Sequence, residues 1–183
     1  MNQEKIAKLI KELLTEIGEK PSREGLKETP ARVAKSYAKL FGGYKEKLED
    51  IITVFDNEGY DEMVIAKDIE FYSICEHHML PFYGKVHVGY VPDTRIIGLS
   101  KMPRLVEIFA RRLQNQERMT KQIADTLNDV LKPKGVGVVI EASHLCMQAR
   151  GVEKQNSKIS TSSFTGLFKK DPRTRAEFLD LIR

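Results

Sequence analysis

The amino-acid sequence predicts an α+β fold with an antiparallel sheet. At about Met63 the hydrophobic period changes from the spacing of a helix to the alternation of a strand. After that point helices and strands are grouped instead of strictly alternating, as in α+β proteins. At 183 residues the chain is long enough for one good hydrophobic core and short for two. We therefore divide it into an N-terminal helical segment, residues 1–62, and a single functional unit, residues 63–183.

Two helices are predicted in the N-terminal segment. Apolar residues recur at helical spacing over residues 6–17, and the pattern stops at Gly18. A second helix begins at Thr29-Pro30, a capping side chain followed by the residue best tolerated in a first turn. It ends at Gly42-Gly43. Residues 44–62 are charged and mixed, which predicts a loop or a short helix.

Strands dominate the remaining sequence. The segments with a period of two are MVIAKDIEFYSI, KVHVGYVP, RIIGLS, GVGVVIEASHLCMQARGV and KISTSSFTGLF. We interpret the fourth segment as one long strand, so that one face carries His144, Cys146, Gln148 and Arg150. On this interpretation Arg150 lies about 20 Å along the strand from His144. His87 faces opposite to its valine neighbours and is interpreted as an ordinary outward strand residue.

Three further helices are predicted among these strands. Ser100 is expected to cap the first of them, which breaks near Asn115. The second follows at once, with apolar residues in register up to Leu131, and closes at Lys132-Pro133. The third begins at Asp171-Pro172 and forms the C-terminus.

The composition predicts a cytoplasmic protein without a nucleic-acid or membrane partner. Thirty Lys and Arg against 26 Asp and Glu give a net charge of +4, which is too mild to indicate a nucleic-acid surface. No apolar run approaches the roughly 18–20 residues of a membrane span. The first residues, MNQEKIAKLIKELL, mix charges among apolar residues, unlike a signal peptide.

The chain has only four histidines, and three of them lie beside its only two cysteines. The first cluster is Cys75-Glu76-His77-His78, and the second is His144-Leu145-Cys146. A Cys-x-x-His pair and one distant thiolate form the nitrogen and sulfur set that zinc prefers. We therefore predict one zinc ion per chain, held by Cys75, His78 and Cys146, with the fourth position open to water. If His144 also bound the metal, the site would be a closed structural one instead.

Several other residues suit an anionic purine ligand. Ser100-Lys101 and Arg104 open a helix whose N-terminal amides favour a phosphate. Arg32 and Lys35 are neighbours on one helix surface. Taken alone, each basic pair is better explained as a solvated helix face. In Gln116-Glu117 an amide adjoins a carboxylate, a combination that can bind the donor edge of guanine.

Together these residues resemble the GTP cyclohydrolase I family. The resemblance runs from about Pro21 to the C-terminus. It rests on the segments ICEHHMLPFYGKVHVGYVPD, IGLSKMPRLVEIFARRLQNQERMTKQIA and VVIEASHLCMQARGVEKQNSKISTSSFTGLF. It implies a tunnelling fold, with helices on one face of the sheet. It also implies a barrel-like homodecamer of two stacked pentamers, whose active sites lie at subunit interfaces.

The resemblance also implies the reaction and the residue roles. GTP and water would give formate and 7,8-dihydroneopterin triphosphate, the first step towards folate and other pteridines. Zinc would be bound as above, and His77 and His144 would transfer protons. Gln116 and Glu117 would hold guanine. The triphosphate would contact Ser100, Lys101, Arg104 and Arg150, together with Arg32 and Lys35 from another subunit.

Two alternatives remain beside this interpretation. One is a structural zinc module that binds nucleic acid, which the basic isoelectric point suggests. It requires four protein ligands to the metal. The other is a different enzyme of the tunnelling fold that acts on a purine or a pterin, against which the Cys/His set argues.

Overall fold

The computed structural model describes residues 1–183, which form two compact units, Met1–Gly42 and Gly43–Arg183. The predicted functional boundary at residue 62 differs from this structural division and stays a prediction. No helix of the chain combines the length and the apolar character that crossing a bilayer requires.

The N-terminal unit contains the two predicted helices, α1 (Gln3–Glu16) and α2 (Thr29–Leu40). The Asn2 side chain caps α1 by accepting a hydrogen bond from the Lys5 amide at 2.9 Å. Gly18 follows α1 with a φ of 90°, the left-handed conformation that glycine adopts at helix ends. Pro30 stands in the first turn of α2.

The second unit contains the sheets and the remaining helices. Its elements in order are α3 (Leu48–Ile51), β1 (Val54–Asp56), β2 (Val64–Cys75), β3 (Pro81–Val91), β4 (Arg95–Ile97), α4 (Lys101–Ala110), β5 (Leu113–Gln114), α5 (Gln116–Leu131), β6 (Gly135–His144), α6 (Leu145–Gln148), β7 (Ile159–Phe164), α7 (Gly166–Lys170) and α8 (Pro172–Leu181). The weak stretch 44–62 thus holds a short helix, as predicted, and a strand that the pattern did not reveal.

The main sheet has the strand order β5-β2-β3-β6-β7. Its four long strands are antiparallel, which confirms the predicted α+β class. The two-residue β5 pairs in parallel with the end of β2. Strands β1 and β4 form a separate two-stranded sheet.

One face of the main sheet carries α4 and α5 over the principal core. This core is built from inward residues of β2, β3 and β6 and the apolar stripes of both helices, including Phe71, Phe82, Val138, Leu105 and Ile123. Alternation along the strands supplies one layer and helical spacing supplies the other.

The opposite face is covered only in part, by α7 and α8. Phe168 and Phe178 pack there in a smaller core with Val91 and Val139. A Cβ on Gly137 would lie 2.6 Å from the Phe168 ring, so only glycine allows this close approach. Both faces of β6 are therefore buried near this position, which explains its nearly continuous apolar sequence.

Candidate active site

Three side chains with sulfur or nitrogen donors converge at the end of the sheet where β2, β3 and β6 meet. Cys75 is the last residue of β2, and its amide donates to the Leu80 carbonyl at 2.9 Å across the turn into β3. His78 lies in this turn, and Cys146 follows β6. One candidate ligand atom from each of the three lies within 4.8 Å of the other two. We call Cys75, His78 and Cys146 the metal group.

This donor set fits zinc. Two thiols and one imidazole match the ligands zinc prefers, and three of them leave a coordination position free. Cys75 is buried, Cys146 is half-buried and His78 is exposed, so the group opens on one side. Burial is the main cause that raises the pKa of the Cys146 thiol, and the neighbouring Cys75 raises this pKa further. His144 is not a member of the group.

The long strand predicted through Arg150 is wrong. Strand β6 ends at His144, which pairs with Phe82 at the start of β3, and the chain then forms the helical turn α6. Because β3 begins at Pro81, the backbone after His144 has almost no partner strand to continue along. His144 and Cys146 therefore belong to different elements, and the alternation cannot place them on one face.

Arg150 consequently lies much nearer the metal group than a strand would allow. Its Nη1 is 2.9 Å from Nε2 of His78. A guanidinium can only donate, so His78 Nε2 accepts this hydrogen bond. An imidazole that binds a metal through one nitrogen has no free lone pair left on the other when that nitrogen is protonated. Metal binding therefore requires Arg150 to leave His78.

The His144 ring is held on two sides. It stacks on the buried Phe82 ring, with centroids 4.7 Å apart and planes 4° apart. Its Nε2 is 2.8 Å from Oε1 of Gln116. Burial lowers the pKa of His144, and the charge of Glu117 opposes this by raising it. Phe82 gave no sequence signal beyond that of an ordinary core residue.

His77 is exposed beside the group and has a looser setting. Its Nδ1 lies 3.8 Å from the Cys75 sulfur, and its Nε2 lies 3.8 Å from a Glu76 carboxylate oxygen. Glu76 itself is held by Arg118 and by Asn115 Nδ2 at 3.0 Å. The pKa of Glu76 is lowered mainly by the hydrogen bond from Arg118, and to a smaller extent by the hydrogen bond from Asn115. The sequence did not reveal these contacts of Glu76, because its partners come from a distant segment.

Gln116 and Glu117 occupy the first turn of α5, but their side chains differ in availability. Gln116 is only 2 % exposed, and its amide is engaged within the chain. The predicted contact of this side chain with guanine would require these hydrogen bonds to open, and it stays a prediction. Glu117 is exposed and can meet a ligand.

The predicted triphosphate-binding residues around the start of α4 lie far from the metal group of the same chain. They are Ser100, Lys101 and Arg104. Just before them, the Ile97 amide donates to the Tyr90 hydroxyl, and Tyr90 pairs with Val64 at the opposite end of β2 from Cys75. The length of β2 puts these ends roughly 30 Å apart. Within one chain the structure does not bring the two groups together.

Three other predictions concern single residues. Ser100 precedes α4 but makes no capping hydrogen bond, because its own backbone is already helical, so the predicted cap is wrong. His87 is buried rather than outward-facing, and its Nδ1 accepts from the Asp68 amide at 3.3 Å. Arg32 and Lys35 are exposed on α2 of the N-terminal unit, where they share a helix surface.

Comparison of the sequence with known proteins shows the family to which this chain belongs. The sequence model of a family described as GTP cyclohydrolase I matches residues 6–183. A GTP cyclohydrolase 1 from Leptospira biflexa is 59% identical over 177 residues, covering 96% of this chain and 96% of that protein. Relatives of the same name from Wolinella succinogenes and Deinococcus radiodurans are 57% and 55% identical. Each of these two covers 100% of this chain, and the alignments cover 100% and 85% of the relatives.

Proposed function

Since the chain belongs to the GTP cyclohydrolase I family, we propose that it converts GTP and water to formate and 7,8-dihydroneopterin triphosphate. This reaction is the first step towards folate and other pteridines. The observation that carries the proposal is the convergence of Cys75, His78 and Cys146 beside His144, within a family match that spans nearly the whole chain.

The proposed cofactor is one zinc ion per chain, held by Cys75, His78 and Cys146. The support is the donor chemistry and the mutual distances of their ligand atoms. When bound, zinc would supply Lewis-acid activation of water for attack on a purine carbon.

The chain's own residues would handle protons and position the substrate. Hydration of guanine C8 becomes easier when N7 is protonated, and an imidazole is suited to that transfer. His144, half-buried beside the metal group, is assigned this role. His77, exposed on the other cluster, is assigned the later transfers near the ribose. The Glu117 carboxylate would accept the N1 and N2 hydrogens of guanine.

The triphosphate would be held by five basic side chains and one hydroxyl, which position it but take no part in bond making. The proposed set is Ser100, Lys101, Arg104, Arg150, Arg32 and Lys35. Arg150 is adjacent to His78 in the same chain, whereas the α4 residues lie at the other end of the sheet.

This separation supports the proposed assembly, a homodecamer of two pentamers with active sites between subunits. A nucleotide bound at the metal group of one chain cannot reach the start of α4 of that chain. A neighbouring chain would have to provide Ser100, Lys101 and Arg104.

A turnover assay with GTP tests the proposed function. The zinc-loaded protein should release one formate per GTP and give a pteridine with the triphosphate retained. A matched Cys146→Ala protein should do neither. Release of inorganic phosphate without formate would instead indicate an ordinary nucleotide hydrolase and would contradict the proposal.

A further inference from the structure

We propose that Gln116 is a positioning residue, whose side chain holds His144 with a proton on Nε2 and so leaves Nδ1 to exchange a proton with the substrate. The inference rests on the proposed function only in giving His144 a proton-transfer role. In this proposal Gln116 does not make the predicted contact with guanine but acts on the reaction through the side chain of His144.

The orientation of the Gln116 amide follows from its partners. Its nitrogen lies 3.0 Å from the carbonyl oxygens of Ile140 and Ile159. Carbonyl oxygens only accept, so the amide group facing them must be NH2. The oxygen Oε1 therefore points at His144, 2.8 Å from its Nε2. An inverted amide would place an oxygen against two acceptors in a buried setting, which is costly.

Two threonines make this orientation consistent. The Thr120 hydroxyl donates its only hydrogen to the Gln116 backbone carbonyl at 2.7 Å. Thr161 must then donate in the 2.7 Å contact between the two hydroxyls. The Thr161 oxygen is left to accept from the Gln116 amide nitrogen at 3.0 Å. The two hydrogens of the Gln116 amide nitrogen are thus shared among three acceptors, and the two carbonyls among them exclude the inverted amide.

The state of the His144 ring follows from that direction. Because Oε1 of Gln116 accepts, Nε2 of His144 must donate and therefore carries a proton. No hydrogen bond joins Nδ1 to the rest of the chain. Stacking on Phe82 prevents the ring from tilting away from this arrangement.

Proton transfer through Nδ1 then balances simply. In the doubly protonated ring, Nδ1 gives its hydrogen to guanine N7 and the ring becomes neutral. The Nε2 hydrogen remains on its bond to Gln116 throughout. In the reverse direction, neutral Nδ1 accepts a proton. A ring free to rotate would present the wrong nitrogen part of the time.

A double-mutant cycle measures whether Gln116 acts through His144. Gln116→Met, which keeps the side-chain length without its hydrogen bonds, should lower kcat for formate release about 10- to 100-fold, by analogy with the loss of a hydrogen-bonded partner that orients a metal-binding imidazole. Zinc content and GTP affinity should stay near wild type. In a His144→Ala background the same change should cost nothing further, because the group it acts through is gone.

Gln114→Met is the matched control. Gln114 is another buried glutamine, and its amide nitrogen donates to Phe109 O and Gln122 Oε1 instead. Its effect should be the same with and without His144. Equal kcat losses for Gln116→Met in both backgrounds would overturn the proposal in favour of a packing role. A raised GTP dissociation constant with unchanged kcat would restore the guanine contact.

A spectroscopic readout separates this inference from the proposed function. Nitrogen-15 NMR of histidine-labelled, zinc-loaded protein should show the neutral ring of His144 protonated at Nε2, assigned by its loss in His144→Ala. With only four histidines the assignment is tractable. A proton on Nδ1 would overturn the proposal even if GTP is turned over. The Nε2 form without GTP turnover would leave the positioning intact and remove the function instead.

Discussion

At the scale of single residues, His144 and Cys146 occupy neighbouring positions but different elements. His144 ends β6 and stacks on Phe82, whereas Cys146 lies in the helical turn that follows and joins the metal group. This separation is consistent with the proposed roles, proton transfer by His144 and metal binding by Cys146. A closed site would instead need a fourth protein ligand.

Substitution of each residue should therefore have a different effect. His144→Ala should retain zinc and bind GTP, while turnover falls by about 10²- to 10⁴-fold, as for the loss of a general acid. Cys146→Ala should lose zinc. Zinc content, GTP affinity and formate release are to be measured on the same folded samples. Zinc loss from both variants would show that His144 is a fourth ligand.

Glu117→Ala should weaken the binding of GTP more than that of ATP. Guanine offers N1 and N2 hydrogens to a carboxylate, and adenine lacks this pair. Dissociation constants for both nucleotides measure the effect. Asp125→Ala, which removes an acid of the same helix that is paired with Lys121, is the control and should change neither. Equal weakening for the two nucleotides would argue for a structural role of Glu117.

At the scale of elements, the prediction succeeded where local pattern decides the structure. Helices α1, α2 and α5 follow from apolar periodicity, and β2 and β3 from alternation. The two-residue β5 and the end of β6 are decided by partner strands that are distant in sequence. Alternation continues past His144, yet the strand stops because β3 provides no further partner. The periodicity of one segment cannot predict where a partner strand distant in sequence ends.

The start of α5 links an element boundary to the site. Asn115 caps this helix by accepting from the Arg118 amide at 2.8 Å, and it also donates to Glu76. Asn115→Ala should cost about 1 kcal/mol of stability, typical of a lost cap. It should also lower GTP turnover, because Glu76, which lies beside the proposed proton-transfer residue His77, loses a hydrogen bond. Denaturant unfolding measures the change in stability, and formate release measures the change in GTP turnover.

Asn2→Ala is the control for that variant. Asn2 makes the same kind of cap on α1, a helix without any predicted site residue. It should lose stability while GTP turnover per folded molecule is retained. Equal turnover losses in the two variants would show that the hydrogen bond from Asn115 to Glu76 does not contribute to GTP turnover.

At the scale of the whole molecule, the candidate site is only partly contained in one chain. The sequence correctly predicted that Cys75, His78 and Cys146 come together, because their types and spacing are distinctive. It did not predict that α4 begins at the other end of the sheet from that group. Distances between ends depend on strand register and crossovers, which no local pattern encodes.

Subunit complementation tests whether neighbouring chains share a site. Lys101→Ala and His144→Ala proteins should each be weakly active. After they are unfolded together and refolded, mixed assemblies should regain GTP turnover, because some sites receive both intact residues. A mixture of Cys146→Ala and His144→Ala should not recover, since both residues lie at one end of the same chain. Failure of the first mixture, in assemblies shown to contain both variants, would argue against a site shared between chains.

The buried His87 should make folding sensitive to acid. Burial lowers its pKa, so between the folded and unfolded values the unfolded chain binds more protons. Stability should therefore fall as the pH drops below about 6.5, at no more than about 1.4 kcal/mol per pH unit from this residue. The charges around it are Asp68, Glu141, Lys85 and Lys67.

Denaturant unfolding of wild type and His87→Gln from pH 7.5 to 5 measures that contribution. The difference between the two proteins should shrink towards acid, because only wild type loses the stability of a neutral buried imidazole. His144 titrates in both proteins and so cancels in the comparison. A constant difference across this range would show that His87 binds its proton equally in both states.

The position of β3 between β2 and β6 also determines when the metal group can form. Cys75 and His78 are synthesised before β3, and Cys146 only after β6, so the three meet once β3 has paired on both sides. A one-residue slip of β6 against β3 would turn His144 to the other face of the sheet and displace Cys146. We therefore expect the complete set of three side chains to form late in folding. A metal held by all three would stabilise chains with the correct strand alignment over chains with a slipped one.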